Sequence, residues 1–512
     1  MTREEGYDAV VIGAGPNGLI CAAYLARAGH RVLLLERRHE TGGGLNTDEY
    51  FGFRLNLHAV YHMMSDVMPA HADLDLANRG VRYLYPDVAA AFPFRDGSSL
   101  VLSRDPGQTA ASIAALCPDD ASAFQRMWDD FQPMLEQYLI PMTYELPEPA
   151  LDQMVEFGET PVGQRLAEIS ELSFVEMLDE YGIRDPRVRM ALLSFPAMWG
   201  MHLDDPLGYL YPLYLCRMLS AGLVKGGSHR LSSAIYRSFL RDGGTVLDAC
   251  EATRIVTQEG AAVGVETADG RRFEARAVVS TLNPEQTFFE LIDAEALPEN
   301  LRRAAESWEW EERSMFGLHL GIRGGVSFRA ADPRVGEAMI VFCGLETEDE
   351  LFDHLERVDA GGVDTCEWLH VTHASRFDAT MAPAGHDLLR AEAVVKYDPA
   401  WQTEAKAFAD GCVRLLQEYA QIGDIVFRRH YTPLDIEAKL TTMKRGSIKH
   451  GAYTPLQMGY LRPNDLCSHS ETPIPGLFVG GASMYPGGMI LGGPGYIAAG
   501  VVGEYLGGES VR

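Results

Sequence analysis

The first 35 residues alternate between short apolar runs and glycine-rich breaks, a pattern typical of a strand, a helix and a second strand. Residues 8–12 (DAVVI) are apolar and β-branched, as in a buried parallel strand. Residues 17–28 have the period of a helix that ends before Gly29, and residues 31–35 predict the next strand. This order of elements predicts an α/β fold with a parallel sheet.

A G-x-G-x-x-G sequence connects the first predicted strand to the first predicted helix. It consists of Gly13, Ala14, Gly15, Pro16, Asn17 and Gly18. In such a turn the first glycine permits the bend, the second lets the backbone approach a pyrophosphate, and the third lets helix and strand pack closely. The N-terminus of the helix adds free N–H groups and a partial positive charge. The segment therefore predicts a dinucleotide site.

An acidic residue follows at the distance expected for a ribose contact. Glu36 ends the second predicted strand, where its carboxylate can accept hydrogen bonds from ribose hydroxyls. Such a contact selects an adenosine without a 2′-phosphate. We include its neighbour Arg37 in the predicted site.

A second glycine cluster indicates which dinucleotide binds. Gly42, Gly43 and Gly44 come shortly after Glu36 and are followed by Leu45. This arrangement resembles the element that FAD proteins with the glutathione-reductase-type fold place beside the flavin diphosphate. The resemblance favours FAD over NAD and adds Gly43, Gly44 and Leu45 to the predicted cofactor site.

Two later segments extend the same prediction. The backbone near Ala252, in a block of short predicted strands, is expected at the adenine edge, although an ordinary β-meander would give the same pattern. Near the C-terminus, a strand ends in glycines and a glycine-rich turn leads to a helix, which offers N–H groups to negative charge on a reduced flavin. The residues predicted to contact the cofactor there are Gly480, Gly481, Ala482, Gly488, Met489 and Ile490.

Together these motifs resemble the phytoene desaturase and flavin amine oxidase superfamily, in particular its bacterial phytoene-dehydrogenase-like branch. The resemblance rests on residues 13–18, 42–44 and 476–496. The chain departs from the family pattern in three places. Leu45 stands where an arginine is usual, and Tyr485 stands where many relatives have histidine. Asn56, His58 and Ala59 stand in the region where many relatives have an acidic residue and glycine-proline. No cysteine follows Cys467, so the C-terminal thioether link of some amine oxidases cannot form, and we expect non-covalent FAD.

The resemblance implies two domains. A glutathione-reductase-type Rossmann domain that binds FAD would combine residues 1–70, 222–285 and 445–512. A substrate domain with a mixed sheet and a helical cover would combine residues 71–221 and 286–444. Periodicity within the substrate domain predicts helices over 110–116, 121–139 and 162–181 and strands over 314–321, 338–343 and 367–372.

Two residues are candidates for catalysis. Tyr485 precedes the C-terminal glycine turn, and by resemblance its phenol would face the substrate side of the flavin. His58 is a candidate for contact with flavin or substrate. It stands four positions before His62, but no third ligand is evident, so we predict no metal site. The apolar run 207–216 would line a substrate tunnel, contact lipid or form buried core.

The amino-acid composition of the chain limits the kinds of partner that it can bind. The chain has 512 residues with 44 basic and 72 acidic side chains, a net charge of −28. Such a surface repels phosphate backbones, so we expect no nucleic-acid partner. Eight isolated cysteines, no signal peptide and no transmembrane run predict a cytoplasmic protein, with peripheral membrane contact left open.

The preferred functional hypothesis is an FAD-dependent dehydrogenase or oxidase that removes hydride from an sp³ carbon of an apolar or alicyclic substrate. Carbon–carbon desaturation is its favoured form. Without an apparent NADPH domain, the expected electron acceptor is oxygen, a quinone or another protein. The alternatives are a flavin amine oxidase, a carotenoid-type isomerase and a prenyl-binding escort protein that has this fold without FAD.

Overall fold

The computed structural model describes residues 6–362 and 365–507. The strands are β1 (Tyr7–Ile12), β2 (Val32–Leu35), β3 (Thr47–Tyr50), β4 (Phe53–Asn56), β5 (Tyr61–His62), β6 (Tyr83–Leu84), β7 (Val88–Pro93), β8 (Ser99–Ser103), β9 (Gly222–Val224), β10 (Thr245–Leu247), β11 (Ala252–Gln258), β12 (Ala261–Thr267), β13 (Arg272–Ser280), β14 (Arg313–Phe328), β15 (Ala338–Cys343), β16 (Leu369–His373), β17 (His386–Lys396), β18 (Ala420–Tyr431) and β19 (Leu477–Val479). The α-helices are α1 (Pro16–Arg27), α2 (Ala70–Asp73), α3 (Pro106–Ala114), α4 (Pro118–Met134), α5 (Ile140–Met142), α6 (Ala150–Phe157), α7 (Pro161–Ser170), α8 (Phe174–Tyr181), α9 (Pro186–Met198), α10 (His229–Arg241), α11 (Glu299–Glu306), α12 (Glu348–Ala360), α13 (Ala374–Phe377), α14 (Trp401–Tyr419), α15 (Pro433–Lys439) and α16 (Gly493–Tyr505).

The first large sheet joins the two ends of the chain. Its strand order is β10-β2-β1-β13-β12-β11, and β19 pairs with β13. Strands β10, β2, β1, β13 and β19 run parallel, and β12 pairs antiparallel with both of its neighbours, β13 and β11. The four residues of β2 are all buried, as are the last four of β1, because helices cover a parallel sheet. The predicted α/β Rossmann fold is thus confirmed.

The second large sheet is mixed. Its order is β18-β14-β17-β16-β15-β7-β8, and only β15 and β7 are parallel neighbours among the described strands. The predicted strand 338–343 matches β15, and 367–372 overlaps β16. The predicted strand 314–321 is longer in the structure, because β14 continues to Phe328 as the partner of both β17 and β18.

The helical region matches the sequence pattern except at one break. The predicted helix 162–181 consists of two helices, α7 and α8. Ser173 caps the second one: its side chain accepts from the backbone N of Glu176, and the Glu176 side chain accepts from the backbone N of Ser173. This capping box starts a new helix where apolar periodicity alone predicts continuity. The predicted helix 121–139 is α4 followed by a π-helical turn, Leu135–Leu139.

The apolar run 207–216 is part of the core. Leu207, Leu210, Tyr211, Tyr214 and Leu215 are each at most 7 % exposed and belong to the largest buried cluster. The buried-core alternative is therefore confirmed for this run. In the described part of the chain, no helix combines the length and apolar character needed to cross a bilayer. The division into two discontinuous domains stays a prediction.

Candidate cofactor and substrate site

One cavity is lined by residues from both large sheets, and most of the residues predicted for the cofactor site lie along it. The predicted residues along its wall are Gly13, Gly15, Pro16, Asn17, Gly18, Glu36, Arg37, Gly43, Gly44, His58, Ala252, Ala482, Gly488, Met489 and Ile490. These residues come from distant parts of the sequence. The motifs that suggested one dinucleotide site therefore do converge on one cavity.

The glycines of the first turn have the geometry that a phosphate site needs. Gly13 has a φ of +95°, which favours glycine. A Cβ on Gly18 would lie 1.9 Å from the Gly13 carbonyl oxygen, so helix α1 and strand β1 require glycine there. A Cβ on Gly15 would meet nothing within 4 Å, which leaves space at the N-terminus of α1. This space suits the diphosphate of a dinucleotide.

Glu36 lies at the wall of the cavity and is fixed by backbone amides. Its Oε2 accepts a hydrogen bond from the N of Ala14 at 2.9 Å, and its Oε1 accepts one from the N of Arg38 at 2.9 Å. Both oxygens retain further acceptor capacity for ribose hydroxyls. Arg38 also lines the cavity, and its buried Nη1 has no hydrogen-bond partner among the described residues.

Arg38 is a site residue that the sequence reasoning missed. The prediction named its neighbour Arg37, which also lines the cavity but has an exposed side chain. Both arginines lie in a bend after β2, so no periodic pattern distinguishes the half-buried Arg38 from the exposed Arg37. The unpartnered guanidinium nitrogen of Arg38 is suited to an anionic group such as a diphosphate.

Four predicted residues lie outside the cavity lining. Leu45 is 0 % exposed and packs in the core. Gly480 and Gly481 have packing roles, since added Cβ atoms would lie 2.6 Å from the Cβ of Ala498 and 2.3 Å from the carbonyl oxygen of Thr281, respectively. The Tyr485 hydroxyl donates a hydrogen bond to the Met142 carbonyl at 2.6 Å. The structure therefore gives the phenol a partner outside the cavity.

His58 is the predicted catalytic residue that does reach the cavity. Its Nε2 is buried and has no hydrogen-bond partner among the residues described. Burial and the cations of Lys439 and Arg390 lower the pKa of His58 well below its usual value, so the imidazole is neutral at pH 7. His62 lies elsewhere: it is in β5, and its Nδ1 is 2.9 Å from the Tyr83 hydroxyl oxygen.

One part of the cavity wall is mainly apolar. The described residues that form this apolar wall are Tyr61, Trp199, Met315, Ile448, Met489 and Ile490. The rings of Tyr61 and Trp199 meet edge to face, with centroids 5.7 Å apart and planes at 70°. His450 also lines the cavity, and burial lowers its pKa to about 4, so this imidazole is neutral too. The wall is suited to a hydrocarbon skeleton.

A buried ion pair is the second feature that the sequence reasoning missed. Arg390 and Glu392 both line the cavity, with Arg390 Nη2 2.6 Å from Glu392 Oε1. Both belong to β17, and no local motif identifies them. Among the described residues, no group of three or more His, Cys, Asp or Glu side chains could hold a metal ion.

The fold and the cavity define the class of protein: a dinucleotide-binding oxidoreductase in which the dinucleotide site continues into an apolar chamber. Comparison with known proteins is more specific. Residues 17–493 match the family model of the flavin containing amine oxidoreductases, and the chain belongs to this family.

The similarity to individual relatives extends over the whole chain. A limonene dehydrogenase subunit of Castellaniella defragrans is 42 % identical, with 99 % of this chain and 96 % of that protein covered. Pyridine nucleotide-disulfide oxidoreductase domain-containing protein 2 of Mus musculus is 27 % identical, with 97 % and 93 % covered. Hydroxyneurosporene desaturase of Cereibacter sphaeroides is 24 % identical, with 93 % of each covered.

Solved structures give the same fold at low sequence identity. A putrescine oxidase is 16 % identical with a TM-score of 0.63, covering 98 % of this chain and 99 % of that one. Cyclohexylamine oxidase from Brevibacterium oxydans is 16 % identical with a TM-score of 0.59, covering 98 % and 100 %. Membership of the flavin containing amine oxidoreductase family, together with the 42 % identical relative, shows an FAD-dependent oxidoreductase with non-covalent FAD.

Proposed function

We propose that this protein dehydrogenates an alicyclic alkene of the limonene type, forming a new carbon–carbon double bond. The observation that carries the proposal is the apolar wall of Tyr61, Trp199, Met315, Ile448, Met489 and Ile490, in the same cavity as the dinucleotide motifs. The 42 % identical relative is named as part of a limonene dehydrogenase, which supports the same substrate class. FAD, when bound, accepts hydride from a substrate carbon.

The residues that would hold FAD follow from the cavity. The amides at the N-terminus of α1 and the space at Gly15 suit the diphosphate, and Glu36 suits the adenosine ribose. Gly44 and the 488–490 turn are proposed to contact the flavin. Arg38 supplies a cation in a chain that has Leu45 where its family usually has arginine.

The wall residues bind and orient the substrate. A hydrocarbon offers no hydrogen-bonding group, so its position depends on shape and on the burial of apolar surface, which contributes about 25 cal/mol for each Å². A compact ring would pack against the aromatic edges of Tyr61 and Trp199. The flexible side chains of Met315 and Met489 would adapt to its shape. These side chains also exclude water from the reacting carbon atoms.

Amine oxidation fits this cavity less well. An amine substrate is held best between facing aromatic rings, whereas Tyr61 and Trp199 meet at 70°. Tyr485, the aromatic residue predicted for such a cage, lies outside the cavity lining. The electron acceptor stays a proposal: oxygen, a quinone or another protein.

The test is substrate-dependent bleaching of the flavin. Purified holoenzyme is mixed anaerobically with limonene, and visible flavin absorbance is followed in a stopped-flow instrument. We expect bleaching with limonene and none with p-menthane, which has the same skeleton but no double bond to activate a neighbouring C–H bond. Bleaching by cyclohexylamine, with no response to limonene or to other cyclic alkenes, would overturn the proposal in favour of amine oxidation.

A further inference from the structure

Glu392 is a carboxylate that faces the apolar chamber. It is 8 % exposed and lines the cavity. Residues alternate along β17: Ala391, Ala393 and Val395 pack in the core on the opposite face of the sheet. A carboxylate in such surroundings is costly unless it is paired, and Arg390 provides the pairing cation.

There is open space beside this carboxylate. In the sheet, Glu392 is paired with Gly317 of β14 on one side and with His370 of β16 on the other. A Cβ on Gly317 would meet nothing within 4 Å, and the φ of Gly317 is not in the left-handed region. Neither crowding nor backbone conformation therefore requires glycine at this position. The absence of a side chain at Gly317 therefore leaves room over the sheet next to Glu392, which itself lines the cavity.

The charged and titratable groups around Glu392 are few. Arg390 also donates to the carbonyls of Leu57 at 2.9 Å and His58 at 3.2 Å, which fixes the guanidinium. His370 Nε2 lies 3.7 Å from Glu392 Oε2, and neither ring nitrogen of His370 has a hydrogen-bond partner among the described residues. The other titratable groups nearby are Tyr61 of β5, His319 of β14, which pairs with Arg390 in the sheet, and the neutral imidazole of His58.

The protonation states of these groups are defined by burial. Burial and Arg390 lower the pKa of His370 to about 3, and the same causes lower that of His319 to about 3, so both rings are neutral. Burial, with a contribution from Glu392, raises the pKa of Tyr61 far above its usual value, so the phenol keeps its proton. Burial also raises the pKa of Glu392, while Arg390 opposes the shift. Glu392 is thus a basic group whose affinity for a proton is increased by burial, and it lies beside the open space at Gly317.

We propose that Glu392 is the catalytic base of the dehydrogenation, a role that rests on the proposed function. One hydrogen of the substrate would leave its carbon as hydride, with both electrons of its C–H bond, and FAD, when bound, supplies the capacity to accept it. The adjacent C–H bond gives its electron pair to the new C=C bond, and its proton goes to the carboxylate of Glu392. The substrate is oxidised by two electrons, and the cofactor is reduced by two.

The main test is the variant Glu392→Gln, which keeps the size of the side chain and an oxygen acceptor for Arg390. We expect the rate of limonene-dependent flavin reduction to fall at least about 100-fold, the usual range for loss of a general base. FAD content and the affinity for p-menthane, measured by perturbation of the flavin spectrum, should stay unchanged. The matched control is Asp387→Asn, on the same strand but outside the cavity lining, where Asp387 pairs with His373.

A second measurement needs no variant. In the parent enzyme, the flavin reduction rate at saturating limonene should rise with pH through a single ionisation above pH 4.5, because only ionised Glu392 accepts a proton. Glu392→Gln should abolish this dependence. A parent rate independent of pH, or reduction of Glu392→Gln at the parent rate, would overturn the role of Glu392 while leaving the proposed function intact. No bleaching of the parent enzyme by any cyclic alkene would instead overturn the proposed function.

Discussion

The carboxylate of Glu36 accepts a hydrogen bond from the backbone N of Ala14 at 2.9 Å and so connects the end of β2 to the glycine turn after β1. One side chain thus stabilises the turn and offers an acceptor to the ribose. Glu36→Ala should weaken FAD binding about 10- to 100-fold, since a hydrogen bond to a charged group contributes about 1.5–3 kcal/mol. Fluorescence titration of the apoprotein with FAD measures the effect. The exposed Glu49, changed to Gln, should bind FAD normally.

Alanine substitutions at two glycines of the same turn should have different effects, one on FAD binding and the other on stability. Gly15 has a φ of −70° and open space around its Cβ position, so Gly15→Ala should leave the apoprotein as stable as the parent but weaken FAD binding at least about tenfold. Gly18→Ala brings a methyl group to 1.9 Å from a carbonyl oxygen and should cost about 1–3 kcal/mol of folding free energy. Urea unfolding of both apoproteins separates the two effects. Equal stability of the two variants would contradict this division of roles.

The ion pair of Lys449 and Glu311 should be important for stability. Their side chains are 1 % and 4 % exposed, and Lys449 Nζ donates to the Trp199 carbonyl at 2.7 Å. Lys449→Met leaves a buried carboxylate unpaired and should cost about 3–5 kcal/mol in the free energy of unfolding. Lys444, whose pair with Glu285 is 43 % and 26 % exposed, is the control: Lys444→Met should cost less than about 1 kcal/mol.

Tyr485→Phe should leave catalysis nearly unchanged. The Tyr485 hydroxyl donates to the Met142 carbonyl and does not line the cavity, so the change removes one structural hydrogen bond, worth about 1 kcal/mol of stability. Limonene-dependent flavin reduction should stay within about twofold of the parent rate. A fall of about 100-fold at unchanged FAD content would instead restore Tyr485 as a proton donor or acceptor.

Acid should destabilise the protein through its buried histidines. Burial lowers the pKa of His62 to about 3, whereas an unfolded histidine titrates near about 6.5. As the pH falls below 6.5 the unfolded state takes up a proton that the folded state does not, so the free energy of unfolding decreases. His62→Gln should reduce this slope by up to about 1.4 kcal/mol per pH unit. Urea unfolding between about pH 4 and 7 measures the slope, and His39→Gln at an exposed position is the control.

The convergence of the glycine turn and Glu36 on one cavity was predictable because its determinants are local. The sequence spacing of Gly13, Gly18 and Glu36 fixes their relative positions, because a strand, a turn and a helix connect them. All three residues line the cavity. The predictions for Leu45 and Gly481 relied on their nearness to a motif, and both residues pack in the interior. Nearness along the chain does not decide which way a side chain points.

The substrate chamber was not predictable in the same way. Glu392 lies next to Arg390, Gly317 and His370 only because β17 pairs with β14 and β16 in one particular register. A shift of one residue would turn the carboxylate to the opposite face of the sheet. Such a neighbourhood depends on long-range pairing, and no short sequence pattern carries that information.

The contact between the two ends of the chain has a consequence for how the enzyme encloses its cofactor. The backbone N of Gly495 lies 3.4 Å from Asn17 Oδ1, and the ring of Tyr496 packs edge to face on Tyr24, so α16 lies directly on α1. Residues 16–18 of α1 line the cavity together with residues 482 and 488–490, so the cavity is complete only when segments from the two ends of the chain have packed together. FAD in this cavity would therefore be enclosed only by a chain in which α1 and α16 have already met.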